Sequence, residues 1–202
     1  MRIIITEERN MKYLIRKILK EVSVDKKERI GSGSFHDVYP LKYDLNKVIK
    51  VPRGNSDYAK GVYKDGGSDA WFNIFKKYPK YFPEVYKITD KYVILEKLDT
   101  DRVKMDLNLL EDDLYPYYSD EIDDGYQITE ILYDLVLGKL GGNKLKDGEL
   151  KHLISNSGNV EILNRYIDLL SGIAGNKLRL FIDVNDGNFG YDNKGNLKML
   201  DI

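Results

Sequence analysis

The sequence contains no cysteine, which removes disulfides, thiolate zinc sites and a Cys nucleophile from consideration. Histidine is nearly as scarce. His36 and His152 are the only imidazoles, too few for a multi-histidine metal centre. Neither sign of charge is in excess, the net value being −1, so a general affinity for nucleic acid or an anionic membrane is not expected. Long apolar runs are missing too: none reaches membrane-spanning length, and "MRIIITEERN" is too short and too charged for a signal peptide. The expectation is a soluble, cytoplasmic protein.

What is present supports a packed core. Hydrophobic residues make up 42% of 202 positions and charged residues 32%, which suits one domain of two small lobes or layers. Residues 1–25 read as a short strand, "RIIIT", and a helix with Thr6 as N-cap, whose Met11, Leu14, Ile15, Ile18, Leu19 and Val22 share one face. Residues 26–98 read as a sheet with one helix. "DVYPLKY" and "KVIKV" alternate as strands, "SDAWFNIFKKYP" sets Trp71, Phe72 and Phe75 at helical spacing, and "EVYKITD" with "KYVILEKL" forms an antiparallel hairpin. Residues 99–202 are mostly helical. The acidic "EDDLYPYYSDEIDDGY" reads as a loop or broken helix, helices are predicted near 127–140 and 160–174, and "GGNKLKDGELKHLISNSGN" reads as loop-rich. The order is α+β rather than alternating βαβ.

Two stretches carry candidate chemistry. In "IGSGSFHDVY", Gly31 and Gly33 lie between two predicted strands, which by itself reads first as an ordinary tight turn and also fits backbone N–H groups brought close to an anion. Lys50, flanked by apolar residues in a strand, either reaches one sheet face or snorkels to solvent. Near the C-terminus Asp183 precedes Asn188 by five positions and Asp201 follows it by thirteen, with a hairpin between that turns at Lys-Gly. A closed hairpin places Asn188 and Asp201 at one end, near Asp183. Two carboxylates and an amide oxygen suit a hard cation such as Mg²⁺. Both segments also read as turns with ordinary Asx chemistry.

Taken in order, these motifs resemble the protein-kinase-like family, including its aminoglycoside-phosphotransferase-like branch. "GSGSFHDV" from Gly31 to Val38 is similar to the glycine-rich loop, and "VIK" from Val48 to Lys50 to the strand lysine motif. "IDVNDGN" is similar to the catalytic loop, and "MLDI" to the strand that delivers a metal-binding aspartate. The resemblance spans residues 28–202. It implies a bilobal α+β fold, with an antiparallel N-lobe sheet carrying one helix and a reduced, mostly helical C-lobe.

The resemblance also implies roles. The backbone around Gly31, Ser32, Gly33, Ser34 and Phe35 would cover the phosphates of ATP, and Lys50 would pair with them. Val38, Val48 and Leu95 would wall the adenine, with the backbone of Glu96 to Leu98 at its edge. Asn188 and Asp201 would hold Mg²⁺, and Asp183 would take the proton of an acceptor hydroxyl on a protein or small molecule.

Several positions depart from the pattern. His36 stands at the third glycine position and Phe181 at the usual catalytic-loop histidine. No Glu occurs between Arg53 and Pro83 to partner Lys50, which leaves Asp69 or Asn73 as substitutes. Asn185 matches neither the lysine of protein kinases nor the histidine of small-molecule kinases. After Ile202 there is no counterpart to the usual acceptor-binding helices. Three expectations follow: a compact phosphotransferase whose acidic 99–134 region builds a substitute platform, a pseudokinase that binds nucleotide or protein without transfer, or a structural or interaction protein whose motifs are coincidental turns.

Overall fold

The computed structural model describes residues 29–32, 36–52, 67–89, 91–137, 149–176, 178 and 184–200. They fall into two compact units, divided between Lys97 and Leu98. The architecture is α+β, with an antiparallel sheet in the first unit and helices in the second, as the sequence predicts.

In the first unit the strands are β1 (Gly31–Ser32), β2 (His36–Leu41), β3 (Asp44–Pro52), β4 (Val85–Ile88) and β5 (Val93–Glu96), ordered β1-β2-β3-β5-β4 with every pair antiparallel. β3 is central because "KVIKV" is apolar on both faces, and a strand buried on both sides cannot alternate cleanly. Tyr39, Ile49 and Val51 form a buried cluster on one face, joined by Leu41, Tyr92 and Ile94. Helix α1 (Gly67–Lys77) enters between β3 and β4. Its Phe72 and Phe75 are buried, and Phe75 stacks on Phe82 with centroids 4.7 Å apart, which anchors the helix beside β4.

In the second unit α2 (Asp101–Asp123) spans the segment read as a loop or broken helix. The broken-helix alternative holds. Pro116 lies inside it and Tyr118 leaves helical geometry two residues later, since proline removes a hydrogen bond and crowds the preceding turn. Helices α3 (Ile128–Leu137), α4 (Glu149–Asn156) and α5 (Val160–Gly175) follow. The loop-rich expectation is thus corrected for 149–156, where Leu153 is buried on an apolar stripe.

The chain then forms the predicted hairpin, β6 (Phe189–Tyr191) and β7 (Leu197–Met199). Its turn needs Gly195, whose φ of 82° lies in the left-handed region. Gly190 is required for a different reason. A Cβ there would sit 2.5 Å from the Cβ of Leu98, so the chain entering this unit lies directly on the hairpin. Reciprocal backbone bonds between Asp99 and Tyr191, 2.8 and 2.9 Å, hold it there. Among the described residues no helix is long and apolar enough to cross a membrane. The predicted strand and helix of residues 1–25 lie outside the described residues.

Candidate functional site

In the first unit a group of candidate residues lies on one sheet face. Residues paired across antiparallel strands point the same way, and so do residues two apart on one strand. Gly31 pairs with Val38, Val38 with Lys50, and Lys50 with Val93, giving one row across four strands. The adjacent row runs Pro40, Val48, Leu95 and Val85. Gly31, Val38, Val48, Lys50 and Leu95 therefore share a face, opposite the Tyr39–Ile49–Val51 cluster. Lys50 is only 8% exposed, so the snorkelling alternative fails. Val48 and Leu95, on the same face, are apolar and buried.

At the end of β5 the backbone is partly committed. The N–H of Glu96 donates to Glu84 at 2.9 Å and that of Lys97 to Asn46 at 2.8 Å. Of the three amides from Glu96 to Leu98, only that of Leu98 has no protein acceptor among the described residues. Ser32 pairs with Asp37 at the mouth of the β1–β2 hairpin, and His36 opens β2 opposite Pro52. Gly33, Ser34 and Phe35 lie outside the described residues. On α1 Asn73 is exposed, and nothing is described of the Asp69 side chain.

In the second unit another group of candidate residues is built around Asn188. Residues Asp186–Asn188 make one 3-10 turn, preceded by Asn185, whose side-chain oxygen accepts the Gly187 N–H at 3.0 Å. Asx chemistry is therefore present here, as it is at Asp192, which accepts from the N–H groups of Lys194 and Asn196 at 2.9 and 2.8 Å. Burial alone would raise the Asp192 carboxyl, but bonds from Asn196, Lys194 and Lys198 outweigh it and hold the pKa below the usual range.

The hairpin closes with the N–H of Leu200 donating to the Asn188 carbonyl at 2.7 Å. Asp183 and Asp201 themselves lie outside the described residues.

Sequence reasoning missed what holds this loop. Asp186 reaches the start of α3, 57 positions away, where one carboxylate oxygen accepts both the Thr129 N–H at 3.0 Å and the Thr129 hydroxyl at 2.7 Å. In return the Asp186 N–H donates to the Gln127 side chain at 2.6 Å. Asp186 thus caps α3 from a distant segment, satisfying a helix N–H that has no partner within the helix. Gln127 donates its own N–H to Glu130 at 2.9 Å, half of a capping box. The stretch "QITE" was the available signal for the helix start, but nothing in it names Asp186.

Behind the hairpin, buried Asp106 accepts the Tyr191 hydroxyl at 2.5 Å, and the Arg102 guanidinium sits 4.1 Å from the Tyr191 ring centre. Burial, then the Asp106 bond, pushes the Tyr191 phenol up to about 12. This pair packs the hairpin onto α2. Its hydroxyl stays protonated near neutral pH and acts as a donor.

Among the described residues no group of three or more His, Asp or Glu side chains is placed to hold a metal. Asn188 carries an amide oxygen, a donor type that Mg²⁺ accepts, and Mg²⁺ takes few protein oxygens, leaving other positions to water and phosphate.

No protein-family model matches the chain, and no curated protein matches it in sequence. Among solved structures it is similar to the streptomycin–ATP–APH(2″)-IIa ternary complex at 15% identity and TM-score 0.31, over 70% of this chain and 55% of the other. It is similar to ADP-bound aminoglycoside phosphotransferase APH(2″)-Ib at 15% identity and TM-score 0.34, over 94% and 72%. To the gentamicin–APH(2″)-IIa complex it is similar at 16% identity and TM-score 0.36, over 94% and 68%. The chain spans little more than half the length of the first of these.

Proposed function

We propose that the chain is an ATP-dependent phosphotransferase that moves the γ-phosphoryl group of ATP to a hydroxyl of a protein or small molecule. The observation that carries this reading is the register placing Gly31, Val38, Val48, Lys50 and Leu95 on one sheet face. A strip of apolar side chains beside one buried ammonium suits a ligand with a flat apolar base and an anionic tail. Val38, Val48 and Leu95 would wall the base, and the Leu98 N–H would serve its edge. The backbone from Gly31 to Phe35 would cover the phosphates, with Lys50 as their counter-charge.

In the second unit Asn188 and Asp201 would hold Mg²⁺, and Asp183 would orient the acceptor hydroxyl and take its proton. Mg²⁺, when bound, supplies charge neutralisation on the phosphate oxygens. The acceptor oxygen would bond to the γ-phosphorus while the bond to the β–γ bridging oxygen breaks, releasing ADP. Such a transfer demands mainly positioning and charge neutralisation, so this small set of residues suffices.

The test is turnover of Mg·ATP by the wild type, Asp183→Ala and Lys50→Ala, read as ADP release or autophosphorylation. Asp183→Ala should abolish turnover while ATP binding survives, and Lys50→Ala should weaken binding. Equal turnover in Asp183→Ala and wild type would sink the catalytic reading. The lack of any Glu between Arg53 and Pro83, with Asn73 exposed, favours a second reading in which the chain binds nucleotide without transfer. Mg²⁺-dependent ATP binding with no turnover would select it.

A further inference from the structure

We propose that Asp186 is a positioning residue that sets Asn188 for metal binding by clamping the loop to the N-terminus of α3. The inference rests on the metal role of Asn188 proposed above and adds three residues to it, Gln127, Thr129 and Asp186. Three hydrogen bonds cross between the two segments, and they run in both directions: Asp186 accepts twice from Thr129 and donates once to Gln127. Thr129 is fully buried, so this anchor does not shift unless the core shifts with it.

From Asp186 the constraint passes to Asn188 through two covalent steps and one turn. The Asn188 N–H donates to the Asn185 carbonyl at 2.9 Å, and the Asn188 carbonyl accepts from Leu200 at 2.7 Å. Both backbone groups of Asn188 are therefore fixed, one through the clamped turn and the other through the end of β7. A metal ligand held on a short loop needs such support, because a ligand that swings loses affinity.

A plain helix cap would stabilise α3 without regard to the metal, and this difference makes the proposal testable. The full chain and its Asp186→Ala, Thr129→Val, Thr129→Ser and Gln127→Ala variants are titrated calorimetrically with ATP, once with Mg²⁺ and once with EDTA. Asp186→Ala should lose about tenfold or more of the Mg²⁺-dependent gain in ATP affinity. Its affinity in EDTA should stay unchanged. Thr129→Val should lose less, and Thr129→Ser, which keeps the hydroxyl, should match the wild type.

Gln127 is exposed, so Gln127→Ala keeps the experiment decisive if Asp186→Ala does not fold; a severalfold loss of the Mg²⁺ gain is expected there. A folded Asp186→Ala with the wild-type Mg²⁺ gain overturns the positioning role and leaves the metal role of Asn188 intact. Equal losses with and without Mg²⁺ overturn it too, marking Asp186 as a structural cap only. A wild type that shows no Mg²⁺ gain overturns the underlying reading, and the positioning role with it.

Discussion

The two groups of candidate residues, one in each unit, are held by different physics. In the first unit each side chain is aimed by strand alternation, a rule that operates over two residues. Lys50 faces one way and Ile49 the other because they are neighbours on β3. In the second unit Asn188 sits in a three-residue turn with almost no regular structure of its own. It is fixed by hydrogen bonds arriving from α3 and from the end of β7. Changes on a strand therefore separate cleanly by face, whereas changes around the turn act through remote partners.

The largest expected effect tests that separation on β3. Ile49→Ala should cost about 2–5 kcal/mol of stability, as a fully buried large-to-small substitution, and leave ATP affinity unchanged in what remains folded. Lys50→Ala should do the reverse, weakening ATP binding with little loss in urea unfolding. Similar stability losses for both would break the comparison.

Gly190→Ala comes next. The added Cβ has no room beside Leu98, and overpacking of this kind costs about 1–3 kcal/mol in chemical denaturation. Because Gly190 lies two residues from Asn188, the same change should also weaken the Mg²⁺ dependence of ATP binding.

A third expectation concerns pH and a second remote cap. Asp113 on α2 accepts from Ser157, Gly158 and Asn159 ahead of α5. Burial would raise its pKa, but these bonds prevail and lower it below 3.8. A depressed carboxylate contributes stability that is present above the unfolded-state value and lost as pH falls through the folded one. Asp113→Ala should cost about 1–3 kcal/mol at neutral pH by stranding those donors. In melting curves the gap to wild type should shrink below about pH 4. A gap that stays constant down to low pH would show that the charge on Asp113 is not what matters.

The smallest effect belongs to Lys104→Ala. Its partner Asp101 is 3.0 Å away, but both side chains are exposed, and a change within about 0.5 kcal/mol is expected. A larger loss would mean that α2 depends on its surface charges.

Much of the first unit was legible in the residue order. "KVIKV", the Phe72–Phe75 spacing and the paired runs ending in "YVILEKL" carry the period of their elements, and each appears where that period predicts. The terminal hairpin was legible for a similar reason, its Lys-Gly turn being a short-range signal. The 101–123 stretch was harder, because its carboxylates and Pro116 mask an apolar stripe of Val103, Leu107, Leu110 and Leu114. Helix 149–156 was hidden by the glycines and lysines before it. The bonds that Thr129 donates to Asp186 and Ser157 to Asp113 left no trace at all. An aspartate in a turn looks the same whether it caps its own loop or a helix 57 positions away.

Local rules thus account for which residues within β2, within β3 and within β5 share a face and for the β2–β3 pairing across one turn, whereas the pairing of Val48 with Leu95 joins distant segments and came from the tertiary structure. The residue order also supplies the donor types at Lys50 and Asn188, since side-chain chemistry needs no fold. The depth of Lys50, the contact between Gly190 and Leu98, and the bonding of Asn188 to Leu200 came from packing. So did the clamp on α3. Each of these is a contact between segments whose approach is set by the burial of apolar surface elsewhere, and no window of neighbouring residues encodes it.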